Sequence, residues 1–219
     1  RPSRMFAILR ESGALARLLP ELDRLYGVPQ RADYHPEVDT GVHVMMVVDQ
    51  SAQRDGPLPV RFAALLHDLG KGTTPDADLP RHPGHEARSV ELVRKVCARL
   101  KVPVDCRELA ILVARHHGNI HRGPQLTAAT IVRLLESTDA LRRPGRFEQL
   151  LQACACDFHG RLGWQDVPYP ATPLFRQALA QIRGVDVAAI AHSCAEPATI
   201  GARAHQARVA AVARMLDVP

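Results

Sequence analysis

The sequence predicts an all-α fold, on three observations. No stretch of the 219 residues alternates apolar and polar side chains with the two-residue period of a strand. Apolar residues instead return at i, i+3, i+4 and i+7, the spacing of one helix face. Glycine and proline punctuate the gaps between those stripes, among them Gly13, Pro20, Pro57, Pro75, Pro103 and Pro168. A hydrophobic content of 46% excludes a disordered chain. The length suffices for one sizeable core with a helical appendage.

Residues 1–26 read as helical. Phe6, Leu9, Ala14, Leu15, Leu18, Leu19, Leu22 and Leu25 give two amphipathic turns, broken near Gly13 and Pro20. Nothing there carries chemistry, and the segment looks like a connector. Residues 34–41 are a polar loop leading into a helix over 42–53, on which His43 shares a face with Met46 and Val47. Taken alone, such a histidine is more often packed in a core than bound to an ion.

Residues 61–71 are the stretch around which the rest is organised. Phe62, Leu65, Leu66 and Leu69 form one inward stripe. His67 and Asp68 break it where the helix is expected to end. Gly70 is expected just past the C-terminus, and Lys71 stands where a cation suits the helix dipole. Consecutive helical residues point about 100° apart, so this imidazole and carboxylate can grip one ion from two sides. A chain with eleven histidines yields on the order of one His-Asp pair by chance, so the dipeptide counts only in company.

Residues 73–83 read as a proline-rich loop closing in His82-Pro83-Gly84-His85-Glu86. A helix from there to about residue 101 is expected to bury Val93, Val96, Cys97 and Leu100, with His85 in its first turn. Pro103 opens the next helix, whose stripe Leu109, Leu112, Val113 continues to His116; residues 117–121 are expected to leave it. Adjacent imidazoles at an inward-facing helix end need partners for their nitrogens. Residues 128–139 are helical through Ile131, Leu134 and Leu135, and 142–146 form a basic loop. The helix over 147–159 aligns Leu150, Leu151, Cys154 and Asp157. A carboxylate on such a stripe costs on the order of several kcal/mol unless it is paired or metal-bound. Beyond Trp164, three prolines mark a linker, and two polar, alanine-rich helices follow over about 175–182 and 198–216.

The net charge of +5 and pI near 9.2 favour an anionic partner without naming it. Arginine supplies nearly all of that charge; Lys71, Lys95 and Lys101 are the only lysines. Cys97, Cys106, Cys154, Cys156 and Cys194 show no CxxC spacing and fit reduced thiols in a cytoplasmic protein. Cys154 and Cys156, two apart on a helix, cannot share a ligand and read as core filling. No apolar run approaches the roughly 18 residues of a membrane span, and no signal peptide opens the chain, so no membrane partner is expected.

Inward-facing helix ends and stripes thus carry His43, His67-Asp68, His85, His116-His117 and Asp157. Five separate elements each place a metal-competent residue where packing favours leucine. In this order they resemble the HD superfamily of metal-dependent phosphohydrolases, an all-α fold. More narrowly, YHPEVDTGVH (34–43), RFAALLHDLGKG (61–72), LPRHPGHE (79–86), HHGNIH (116–121) and CDFHGRLG (156–163) resemble the HD domain at the C-terminal end of bacterial CCA-adding tRNA nucleotidyltransferases. The likeness runs from about residue 4 to 164.

The resemblance implies a helical HD fold with extra N- and C-terminal helices, and a division of the chain. Residues 1–30 would connect to an N-terminal nucleotidyltransferase domain, 31–164 would form the HD phosphohydrolase core, and 165–219 a C-terminal helical extension. The Gly-rich loop and paired aspartates of the nucleotidyltransferase domain do not occur in these 219 residues. Further, His43, His67, Asp68 and Asp157 would hold one divalent ion. His85 with His116 or His117 would complete a second or shared site; the family pattern favours His117, the local stripe His116. Asp68 could bridge two ions, and Lys71 and Arg161 would join it in catalysis by holding the substrate phosphate. His35, Glu37, Asp39 and His121 are candidates for supporting hydrogen bonds or for serving the leaving group.

The implied reactions are hydrolysis of 2′,3′-cyclic phosphodiesters, 2′-nucleotides and other phosphomonoesters. Their substrates would be RNA 3′ ends, tRNA and small nucleotides; a homodimer is compatible with the resemblance. A His-rich ligand set suits Ni²⁺, Mn²⁺, Co²⁺ or Fe²⁺ better than Mg²⁺, which prefers oxygen but could serve one activity. Two rival readings stay open. One is a non-catalytic tRNA-binding module, although non-specific RNA binding needs only basic surface and does not account for His and Asp on inward stripes. The other is a different HD enzyme, such as a nucleotide triphosphohydrolase or a cyclic-dinucleotide phosphodiesterase. The Gly-Tyr-Pro signature of the last is absent, Gly-Asn-Ile standing after His116-His117.

Overall fold

Asp39 begins the helix on which much of the core packs. In the computed structural model of the chain, which describes residues 1–217, its carboxylate accepts from Val42 N at 2.9 Å and Gly27 N at 2.7 Å. The first bond satisfies an amide that a helix start leaves without an intrahelical partner, and the second ties the loop at Gly27 to the cap. The helix is α4 (Thr40–Gln53), preceded by α1 (Ser3–Glu11), α2 (Ala14–Leu18) and α3 (Pro20–Asp23). After it come α5 (Leu58–Leu66), α6 (His85–Arg99), α7 (Val104–His121), α8 (Ala128–Ser137) and α9 (Pro144–His159). The last are α10 (Ala171–Arg183), α11 (Val187–Ser193) and α12 (Ile200–Leu216). Short 3₁₀ turns cover Leu69–Thr73, Asp76–Asp78, Gly123–Gln125 and Pro197–Thr199. Among the described residues the only extended pairing is an isolated bridge between Pro29 and Asp39. The fold is all-α.

The chain divides into two units, and the division is not linear in sequence. The first comprises Arg1–His121 and Glu148–Tyr169; the second comprises residues 122–147 and the described chain from Pro170 onward. In the first, α5 packs against α4 and α7, and α6 against α7 and the Leu69–Thr73 turn. Val47 of α4, Ala64 of α5 and Cys156 of α9 meet in one buried cluster. Two glycines permit the approaches that matter. A Cβ on Gly160 would stand 2.6 Å from Val47 Cγ2 and 2.8 Å from Val47 Cα, so only glycine lets the end of α9 lie on α4. A Cβ on Gly70 would stand 2.6 Å from Ser89 N and strike the His85 carbonyl, so glycine brings the 3₁₀ turn onto the start of α6.

In the second unit, α12 packs on α8 and α10. Ile131 and Leu135 of α8, Phe175, Ala178 and Ile182 of α10, and Ala204 and Val212 of α12 are buried. Phe147 meets Phe175 edge-on at 6.2 Å, and Glu136 accepts from Arg208 Nη1 and His205 Nδ1.

Several sequence expectations need correction. Gly70 does not follow the helix as a C-terminal cap, because α5 stops at Leu66 and residues 69–73 tighten into a 3₁₀ turn. Residues 117–121 do not leave α7 but complete it. Leu100 is exposed, standing one residue past α6. Residues 144–146 belong to α9 rather than to a loop, Pro144 being tolerated at the first position of a helix. The expected linker gives way to α10 from Ala171, with Pro173 in its first turn, where no intrahelical N–H bond is lost. Helix α11 was not anticipated.

Candidate metal centre

Five chain segments bring His43, His67, Asp68, His85, His117 and Asp157 together inside the first unit. His43 lies one turn into α4 and is wholly buried. His67 and Asp68 occupy the junction between α5 and the 3₁₀ turn, His85 the first position of α6, His117 the last full turn of α7, and Asp157 the end of α9. His43, His67 and Asp157 form one group whose ligand-type atoms lie within 4.8 Å of one another; Asp68, His85 and His117 form a second. Asp68 joins the two, with Oδ2 3.1 Å from His67 Nε2 and Oδ1 3.5 Å from both His85 Nε2 and His117 Nε2.

The hydrogen bonds on the far side of each ring decide what the near side can do. His67 Nδ1 is 2.8 Å from Ala64 O, His85 Nδ1 2.9 Å from His82 O, and His117 Nδ1 3.0 Å from Val113 O. A carbonyl oxygen only accepts, so each Nδ1 carries a proton, and each ring turns an Nε2 lone pair inward whenever it is neutral. Those lone pairs face carboxylate oxygens and one another. His67 Nε2 and Asp68 Oδ1 are buried with no hydrogen-bond partner among the described residues. His85 Nε2 and His117 Nε2 stand 3.4 Å apart, two lone pairs in opposition. Acceptors arranged this way repel unless a cation lies between them.

The spacing suits such a cation. Ligand atoms about 2.1 Å from a tetrahedral ion lie about 3.4 Å apart. Asp68 Oδ1, His85 Nε2 and His117 Nε2 make a triangle with edges of 3.5, 3.5 and 3.4 Å. In the other group, Asp157 Oδ1 is 3.0 Å from His43 Nε2 and 3.7 Å from His67 Nε2. The cluster is compatible with divalent metal binding.

Its electrostatics point the same way. Burial pulls His67 down, but the Asp68 and Asp157 carboxylates outweigh it and raise the group to about 9. Burial opposes ionisation of Asp68 and Asp157, yet His67 and Lys71 beside the first, and His121 and His67 beside the second, hold both well below the usual carboxylate range. Burial wins at His85, pushing it down to about 4, and does the same at His35. A proton on His67 and a metal ion would compete for one lone pair.

Residues 40–141 match the HD domain family. This chain carries an HD domain. It is 62% identical over all 219 residues to the Multifunctional CCA protein of Dechloromonas aromatica (strain RCB), covering 53% of that protein. It is 63% identical over 217 residues, 99% of its length, to the Multifunctional CCA protein of Cupriavidus taiwanensis, covering 52% of it. The protein of that name from Burkholderia multivorans is 60% identical over 219 residues, again 53% of its length. The chain spans about half the length of the curated relatives it matches. No solved structure matches it significantly.

Asp157 lies outside the HD match, and α9 returns it to the HD pair His67-Asp68. His116 is not in the cluster. The buried face of α7 runs through Cys106, Leu109, Ala110, Val113, Ala114, His117 and Ile120, one residue out of step with the stripe that ended at His116. Lys71 and Arg161 are both buried; Lys71 Nζ bonds Asp68 Oδ2 at 2.7 Å and Gln30 Oε1 at 2.6 Å. Glu37 Oε1 is 2.8 Å from His43 Nδ1 and 3.1 Å from His35 Nδ1. Asp39 is taken by the α4 cap. His121 Nε2 is 2.6 Å from Asp157 Oδ2, and its Nδ1 is 2.8 Å from the Tyr169 hydroxyl. The hydroxyl can donate to Nδ1, which leaves Nε2 to donate to Asp157. Sequence reasoning missed Tyr169 and Gln30. The only local signal for Tyr169 is an aromatic residue between two prolines, and for Gln30 there is none.

Proposed function

We propose that this domain is a divalent-metal-dependent phosphohydrolase acting on 2′,3′-cyclic phosphodiesters, 2′-nucleotides and phosphomonoesters at RNA 3′ ends. The observation that carries the reading is the set of three imidazoles, each held by Nδ1 on a backbone carbonyl and aimed by Nε2 at shared carboxylates. His43, His67 and Asp157 would hold one ion, and Asp68, His85 and His117 a second, with Asp68 offering one oxygen to each. The His-rich set favours Ni²⁺, Mn²⁺, Co²⁺ or Fe²⁺ over Mg²⁺. A bound divalent ion supplies a water of near-neutral pKa and neutralises phosphoryl oxygens.

The chain's own residues do the positioning. Lys71, held between Asp68 and Gln30, places a point charge beside the shared carboxylate. Arg161 offers a planar fork for phosphoryl oxygens. His35 donates its Nδ1–H to Glu37, which fixes the ring beside His43. The likeness to Multifunctional CCA proteins ties the reading to tRNA and to an N-terminal nucleotidyltransferase partner domain.

The test is hydrolysis of 2′,3′-cyclic AMP and 2′-AMP by metal-loaded wild type and Asp68→Ala, with tRNA binding measured beside it. The expected loss in Asp68→Ala is at least about 10²-fold, the scale of one electrostatic contact at a reacting centre, with tRNA binding unchanged. Absence of hydrolysis with every divalent ion tried would leave the accessory tRNA-binding module.

A further inference from the structure

Three imidazoles of the cluster rest Nδ1 on a backbone carbonyl, but the carbonyls differ in kind. Ala64 O belongs to α5, which leads into His67, and Val113 O to α7, which carries His117. The helix that places each of those rings also holds its acceptor. His85 has no such support. Its Nδ1 donates at 2.9 Å to His82 O, which lies outside any helix, in the turn before α6, and also accepts from His85 N at 3.2 Å. Glu86 Oε2, 3.4 Å from the same Nδ1, is the more distant acceptor. Arg81, Pro83 and Gly84 are exposed, so packing does little to hold this loop.

Hydrogen bonds hold it instead, and most of them converge on the His82 side chain. Its Nε2 donates to Pro29 O at 3.0 Å, and its Nδ1 bonds the Thr74 hydroxyl at 2.8 Å. The ring is therefore tied at both nitrogens, to the segment before α4 and to the residue that follows the 3₁₀ turn. Arg88 of α6 completes the arrangement. It donates to the same Thr74 Oγ1 at 2.9 Å, to Pro83 O at 2.7 Å and to Gly70 O at 3.2 Å. The loop that carries the acceptor for His85 is thus pinned to the turn that carries His67 and Asp68. A ligand imidazole whose far nitrogen loses its partner loses both its aim and its tautomer.

We propose that His82 is a positioning residue of the metal centre: by tying its ring to Pro29 and Thr74 it fixes the carbonyl that orients His85, and so sets the affinity of the ion that His85 would share with Asp68 and His117. The proposal rests on the phosphohydrolase reading for the role of His85 and adds the side chain that aims it.

The experiment is competition for Mn²⁺ and Co²⁺ between a chromophoric chelator and the 219-residue chain, as wild type, His82→Phe, His82→Gln and His85→Ala. His82→Phe keeps a ring without its nitrogens and is expected to weaken about tenfold the ion that His85→Ala loses, the lower range for supporting bonds. The other ion and the helical circular dichroism are expected to stay unchanged. His82→Gln, whose amide can donate to Pro29 O and bond Thr74, is expected to restore the affinity. Wild-type affinity in His82→Phe, equal weakening of both ions, or no rescue by His82→Gln overturns the proposal. Should His82→Phe lose helix, Thr74→Val, which removes one of the ring's two bonds, decides by the same comparison. Proton NMR of the metal-free chain separates this inference from the reading beneath it. If His85→Ala loses no ion, the metal role of His85 fails. Loss of the His85 Nδ1–H signal in His82→Phe, with that of His117 retained, still carries the positioning; retention of both signals removes it.

Discussion

The two groups that meet at Asp68 use the same residue types and differ in the exposure of one ring. The side chains of His43, His67 and Asp157 are at most 4% exposed; in the other group Asp68 is 1% and His117 6% exposed, and His85 alone reaches 16%. The inner group is also braced from behind, by Glu37 on His43 and by the Tyr169–His121 pair on Asp157. The outer rings rest on backbone carbonyls. A fully desolvated carboxylate depends on its partners for folding as well as for chemistry, while a partly exposed imidazole can serve chemistry alone. The inner group should therefore act as a structural keystone and the outer as the face that meets substrate.

Paired substitutions test that division most severely. His43→Ala strips a partner from buried Asp157 and should lower stability by about 3 kcal/mol. His85→Ala should change stability by less than about 1 kcal/mol while still removing bound metal. Urea unfolding and elemental analysis of both variants would check this, and equal destabilisation would erase the distinction.

Tyr169→Phe probes the bracing. Without the hydroxyl, His121 loses its fixed tautomer and Asp157 its oriented donor. Metal affinity at the inner group should fall about tenfold, the lower range for such supporting bonds. Competition with a chromophoric chelator should show one ion weakened and the other untouched; weakening of both would mean the groups are not separable.

The two groups also differ in their response to pH. In EDTA, His67 is raised to about 9 from an ordinary 6.5, so its attraction to the two aspartates stabilises the fold fully below pH 6.5 and is lost as pH rises through about 9. His85, pushed down to about 4, works in the opposite sense: its contribution is present above pH 6.5 and is lost as pH falls through about 4. Imidazole NMR titrations should place the inner ring near 9 and the outer near 4. Thermal stability of the metal-free chain should fall on the alkaline side, and a saturating divalent ion should flatten that fall by taking the proton's place.

Much of this was legible in the residues alone. The stripe through Leu65, Leu66 and Leu69 located the HD turn, and Asp157 in register with Leu150, Leu151 and Cys154 marked a carboxylate aimed at a core. The same reasoning misplaced His116 by one position, because a stripe of four residues tolerates a shift of about 100° that only packing on α5 and α6 resolves. Gln30 and Tyr169 escaped notice because each works through a partner more than 40 residues away, Lys71 and His121 respectively.

Local periodicity and residue chemistry, which depend on neighbours within a turn or two, were enough to establish an all-α chain and the segments that carry imidazoles and carboxylates. The folded chain decided which of two adjacent histidines turns inward and that one carboxylate stands between two groups. Those outcomes follow from close approaches between distant segments, such as Gly160 on Val47 and Gly70 on Ser89, whose distances no short window of sequence encodes.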